Sequence, residues 1–126
     1  MIDPFIQTLF CDVFKKMDID IPLEMEEFRL IIDEQYPVLL RYDASTERIL
    51  LLGMLDIDSY DDKAAIYKRL LHAALNPLLG SDPGVGIDEK SNCCFSYLTL
   101  PRQTVNAEQV YHEIGRLVAW GKKVLV

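Results

Sequence analysis

Residues 49–55 read ILLLGML, seven positions without a polar side chain. The run is much too short to cross a bilayer, which takes about 20 apolar residues in a helix. A turn composition, Asp43 to Glu47, precedes it and the acidic residues Asp56 and Asp58 follow it, so it reads as a strand. Successive side chains of a strand point to opposite faces, so this strand is apolar on both and both must be covered. Helices can cover one face. The other is left for a second subunit or a bound chain.

The rest of the chain supplies the helices and the partner strands. Asp3 before Pro4 is a helix start, an N-cap acceptor ahead of a proline whose missing N–H costs nothing at the first helical position. Ile6, Leu9, Phe10, Val13 and Met17 then recur at helical spacing, with Phe5 and Phe14 widening the stripe. EFRLIIDE and YPVLLRYD read as two strands around the polar pair Glu34 and Gln35, with Pro37 marking an edge strand or a strand's beginning. Ser59 with Asp62 predicts the start of a second helix carrying Ile66, Leu70, Ala73 and Ala74, stopped by Asn76 and Pro77. Val85 to Asp88 and Cys93 to Leu100 form a further strand pair around the turn Glu89 to Asn92. Asn106 with Gln109 predicts the cap of a last helix, striped by Val110, Ile114, Leu117 and Val124 with Tyr111, Val118 and Trp120 beside it. Strands joined by tight turns are antiparallel. The expected fold is therefore α+β, a twisted antiparallel sheet of about five strands with three helices in the order α-β-β-β-α-β-β-α.

With 126 residues, half of them hydrophobic, the chain is expected to form a single domain over residues 1–126. Thirteen basic residues against twenty acidic ones give a net charge of −7, and no helix face, strand or tail collects Lys and Arg. Nucleic acid is thereby disfavoured as a partner, because phosphate neutralisation supplies most of that affinity. The start, MIDPFIQTLF, has no cationic leader pattern, so the expected location is the cytoplasm, with no membrane partner.

Signals for chemistry are weak. GVGIDE begins with two glycines spaced like a dinucleotide loop, but Glu89 stands where the third glycine belongs and a strand follows. Cys93 and Cys94 are neighbours in a strand, so one faces the core, the other does not, and they cannot share a metal. A nucleophilic thiol needs a basic neighbour, and only His72 and His112, both on predicted helices, are available. Cys11 reads as a small apolar residue on the first helix. Asp56, Asp58, Asp61 and Asp62 lack the glycine and terminal glutamate of a calcium loop and read as capping and turn residues; Glu24, Glu26 and Glu27 read as a solvated lead-in. No catalytic residue, cofactor or metal ligand is expected.

The element order, the strands FRLIID, VLLRYD and RILLLGML, the hairpin GVGIDEKSNCCFSYLTLP and the closing helix NAEQVYHEIGRLVAW resemble the class I type III secretion chaperones, related to the Tir and Yop chaperones. The resemblance runs from Pro4 to about Trp120. It implies a homodimer without catalytic activity, which binds the N-terminal chaperone-binding segment of a secreted effector in extended form without ATP, and adds the secretion ATPase as a further partner. By the same analogy an apolar groove is expected from Phe5, Leu9, Phe10, Phe14, Leu30, Ile32, Val38, Leu40, Ile49 and Leu51. A dimer contact is expected from Leu71, Leu75, Leu78, Val85 and Ile87. Two other classes stay open from the residues alone: an adaptor or structural subunit of another complex with the same fold, and a small thiol-dependent enzyme.

Overall fold

The structure, a computed structural model, describes residues 3–19, 27–58, 60–75 and 83–125. Helix α1 (Pro4–Lys16) is followed by strands β1 (Glu27–Ile32), β2 (Tyr36–Asp43) and β3 (Arg48–Leu55). Helix α2 (Lys63–Ala74), strands β4 (Gly84–Asp88) and β5 (Cys93–Pro101) and helix α3 (Ala107–Val124) complete the expected order. The strands make one sheet in the order β1-β2-β3-β5-β4, every pair antiparallel.

The helix starts follow local chemistry. Asp3 Oδ1 accepts the Phe5 N–H at 2.9 Å and Asn106 Oδ1 accepts the Gln109 N–H at 2.8 Å, each meeting one of the donors that a helix start leaves without a partner. For α2 the cap is Asp62, whose carboxylate takes the Ala65 N–H at 3.1 Å. That corrects the expected start at Ser59, which lies outside the described residues. Asp56, Asp58, Ser59 and Asp62 are all competent caps, and sequence chemistry alone does not choose among them. Asn76 and Pro77, the expected stop, and Leu78 also lie outside the described residues.

Two hairpins close with one device. Asp43 ends β2 and accepts hydrogen bonds from Thr46 Oγ1 (2.7 Å) and Ser45 Oγ (2.8 Å); Asp88 ends β4 and accepts one from Ser91 Oγ at 2.8 Å. These hydroxyl donors hold both carboxyls below the usual carboxylate range. In each turn the residue before the next strand, Glu47 or Asn92, takes a left-handed conformation. In the three-residue β1–β2 connection the Gln35 N–H donates to the Ile32 carbonyl at 3.1 Å, and the two central residues of that turn, Asp33 and Glu34, take positive φ of 53° and 60°. Lys122 of α3 steadies that turn, pairing with Asp33 at 3.2 Å and standing 4.6 Å from the centre of the Tyr36 ring. Pro37 is the second residue of β2, which lies inside the sheet, so it marks a strand's beginning rather than an edge.

All three helices pack on one face of the sheet, here the inner face. The larger core cluster joins Ile6, Phe10 and Phe14 of α1 and Val110, Ile114 and Leu117 of α3 to Phe28, Leu30, Val38, Leu40, Ile49 and Leu51. Phe28 meets Phe14 and Phe10 edge-on, with ring centres 4.7 and 5.5 Å apart. A smaller cluster sets Ile66 and Leu70 of α2 against Leu55, Ile57, Cys94 and Val124. Between the two stand Gly53 and its register partner Ser96. A Cβ on Gly53 would lie 3.0 Å from Ser96 Oγ and 3.3 Å from the Leu117 side chain, so glycine there lets α3 approach the sheet closely.

Candidate functional site

The ten residues expected to line a groove are divided by the sheet. Leu9, Phe10, Phe14, Leu30, Val38, Leu40, Ile49 and Leu51 are at most 5 % exposed and sit in the larger core cluster. Strand alternation sends them to the inner face, where α1 and α3 already cover them, so they do not line an open groove in this chain. Phe5 is different. It is 43 % exposed at the start of α1, with the Arg102 guanidinium 5.2 Å from its ring centre. Arg102 also pairs with Asp3 at 2.6 Å, tying the cap of α1 to the β5–α3 connection. Ile32 is half-buried at the end of β1.

The residues between the buried ones point the other way and build an apolar outer face. In register across the sheet run Arg29, Leu39, Leu52, Tyr97 and Gly84, and beside them Ile31, Pro37, Met54, Phe95 and Gly86. Leu50 lies in the next row between Arg41 and Thr99. Ile31 is 61 % exposed, and Met54 and Tyr97 are exposed as well; Leu39, Leu50, Leu52 and Phe95 are half-buried. None of these side chains belongs to either core cluster, and among the described residues no helix packs on this face. Apolar surface left contiguous in this way is a hallmark of an interaction site. The sequence reading required such a face but named none of these seven residues. The signal lay in β1, where Glu27 and Arg29 alternate with Phe28 and Leu30 and mark the outer side.

The glycines of GVGIDE have a place on the same face. The Tyr97 ring lies over Gly84, where a Cβ would come within 2.3 Å of it, while a Cβ on Gly86 would meet nothing within 4 Å. They stand inside β4, with Asp88 at its end and Glu89 opening the turn.

Among the described residues β1 and β4 are the two edge strands of the sheet, and no further strand pairs with either. Near β4 the residues expected in a dimer contact are displayed to solvent: Leu71 is 63 % and Leu75 75 % exposed on and just after α2, and Ile87 is 48 % exposed. Val85 is half-buried against the smaller cluster. A short row of leucines on the outer side of α2 therefore adjoins an unpaired strand edge.

The groups considered for chemistry are dispersed. Cys94 is buried on the inner face, where burial pushes its thiol up, and Cys93 is half-buried on the other side, as alternation requires. Cys11 is half-buried on α1. His72 and His112 are exposed on α2 and α3. Asp62 caps α2, and Asp56 Oδ1 accepts the Asp58 N–H at 3.2 Å. Among the described residues no three His, Cys, Asp or Glu side chains come together as a metal site, and no helix is long and apolar enough to cross a membrane.

Residues 9–122 match the family of Tir chaperone proteins (CesT). A structure of a HopA1–SchA chaperone–effector complex contains a chain 29 % identical, with a TM-score of 0.80 over 98 % of this chain and 97 % of that one. A chain of the ExoT–SpcS complex from Pseudomonas aeruginosa shares the fold at 20 % identity and a TM-score of 0.70, covering 97 % of this chain and 98 % of that one. One from the ExsC–ExsE complex does so at 20 % identity and 0.67, covering 95 % and 92 %. No curated protein matches the sequence.

Proposed function

This chain belongs to the Tir chaperone protein (CesT) family, and from that premise we propose that it is a type III secretion chaperone. It binds the N-terminal segment of a secreted effector in extended form, keeps that segment soluble and competent for export, and performs no chemistry and uses no ATP in doing so. The observation that carries this reading is the apolar outer face spanning the sheet, which no described part of the chain covers. Such a face takes aliphatic and aromatic side chains from a partner, while the free edge of β1 offers backbone hydrogen bonds to an added strand. An extended client held at both places is kept from self-association and from folding before transport.

The working unit is a homodimer joined through the exposed leucines of α2 and the neighbouring β4 edge. Leu71, Leu75 and Ile87 make the contact and Val85 supports it from the smaller cluster. This leaves the outer face of each protomer free for the client. Phe5, beside Arg102 at the start of α1, and Ile32, at the end of β1, extend the client surface at two separate places. The buried residues of α1 and β1–β3 act by holding the sheet's shape.

The test is purification of the tagged protein from its native host, mass spectrometry of what accompanies it, and light scattering of the complex. Two copies of this chain with one polypeptide held through its N-terminal region are expected. Leu52→Asp is expected to stay folded and dimeric and to lose that polypeptide. A monomer that retains nothing, or a Leu52→Asp protein that retains its client in full, would falsify the assignment.

A further inference from the structure

A cleft of about 660 Å³ opens at one end of the sheet, where β2 begins, β3 ends and β5 begins, beneath the C-terminal half of α3. Its floor is apolar, formed by Val38, Leu55, Ile57, Leu117 and Val118. Ser96, a buried polar side chain of the inner face, also lines it, and among the described residues its hydroxyl reaches only the Gly53 carbonyl, at a long 3.4 Å. The cleft is continuous with the outer face, because Pro37, Met54 and Cys93 line it too. Its rim carries Asp56 and Asp58, both exposed; among the described residues neither carboxylate has a cation within ion-pair distance, the neighbouring Lys63 Nζ being turned to the Ile57 carbonyl at 3.4 Å. The one lysine in the lining, Lys122, is engaged with Asp33 and the Tyr36 ring.

We propose that this cleft is a specificity pocket for the bound segment, taking one apolar side chain from it while an adjacent Lys or Arg of the same segment faces Asp56 and Asp58. The inference rests on the chaperone reading, and it adds what that reading lacks, a sequence requirement on the client. An extended segment lying on the outer face reaches the strand ends at Met54 and turns its next side chain inward under α3. The apolar floor gives that side chain a place out of water. Unpaired carboxylates at the rim favour a cationic neighbour and repel an acidic one. An anionic client residue at that point would meet two like charges, so the pocket selects as well as binds.

The probes are N-acetyl-leucyl-lysine amide and N-acetyl-leucyl-glutamate amide, titrated into the ¹⁵N-labelled protein and followed by backbone amide shifts. The lysine compound is expected to move the amides of Asp56 to Asp58, Cys94, Ser96 and Leu117 to Gly121, and to bind roughly tenfold more tightly than the glutamate compound, a preference that shrinks as salt rises. Asp56→Asn with Asp58→Asn is expected to abolish the preference while the shifts of Ser96 and Leu117 remain. Equal affinity of the two compounds, or shifts that avoid the cleft, would overturn the proposal. The same shifts on concentrating the protein alone would place a second copy in the cleft and overturn it equally. Capture of the client by the double Asn variant separates the two claims. Retained but weakened capture is expected, unchanged capture rejects the pocket, and loss of all capture by the unsubstituted protein rejects the chaperone reading itself.

Discussion

In β3 the two faces of this sheet are built from the same residue type, and those residues have opposite fates. Leu50, Leu51 and Leu52 are consecutive in β3, yet Leu51 is fully buried under the helices while Leu50 and Leu52 stand half-open on the other side. Composition does not distinguish them; coverage does. The inner face has met its partners in α1, α2 and α3, whereas the outer face has met none among the described residues. An apolar patch of that kind, flanked by Arg29 and Arg41 and left without a cover, marks a place for a partner.

Substitutions separate the two most sharply. Phe10→Ala on the inner side is expected to cost about 3–5 kcal/mol of folding stability, because the Phe14–Phe28 contact and α1 cannot close over the missing ring. Urea unfolding reads this directly. Leu52→Asp is expected to change stability by less than about 1.5 kcal/mol while removing client capture, and a loss as large as that of Phe10→Ala would erase the distinction between the faces. At the β4 side, the proposed dimer contact predicts that Leu71→Glu with Leu75→Glu gives a monomer in light scattering, with protomer stability shifted by no more than about 0.5 kcal/mol, since neither side chain is buried in the protomer.

Adjacent thiols give a finer probe of the same contrast. Maleimide should label Cys93 readily and Cys94 only through unfolding, because Cys94 is 1 % exposed and its thiol is pushed up by burial. Equal labelling rates would mean that the inner face is open. The smallest effect belongs to the turns. Asp43 is held below the usual carboxylate range by the Thr46 and Ser45 hydroxyls, and Asp88 by the Ser91 hydroxyl and the Lys90 N–H. Because folding depresses these values, their contribution is complete above the unfolded-state value of about 3.9 and fades as pH falls through the folded value. Amide shifts of Ser45, Thr46 and Ser91 in an acid titration should therefore follow midpoints below the unfolded-state value.

Much of the fold was legible because each element carries its own local signature. Asp3 with Pro4 and Asn106 with Gln109 cap the helices they mark, and the alternation of charge and apolar side chains in EFRLII sets the register of β1. The start of α2 was not legible, since DIDSYDD offers several equivalent caps and packing of Ile66 and Leu70 decides among them. The site was half legible. ILLLGML demands two covered faces, but a strand of identical leucines does not say which of them the helices reach. That depends on a register fixed two strands away by Glu27 and Arg29 on β1 and transmitted through the cross-strand pairs Arg29–Leu39 and Leu39–Leu52. The residues picked for the groove were chosen for being apolar, and the most regularly apolar positions are the ones the core had already taken.

The pause in the core at Gly53 and Ser96 has a kinetic consequence. Helix α2 is held to the sheet by Ile66 and Leu70 alone among its fully buried residues, through a cluster that Gly53 and Ser96 separate from the one holding α1. The protomer is therefore expected to open in two steps of unequal depth. Amides of Lys63 to Ala74 are expected to exchange with deuterium through a partial opening that leaves β2, β3 and β5 closed, and dimer formation should slow that exchange far more than it slows exchange in the central strands. Subunit association would then be the event that completes the folding of the α2 side.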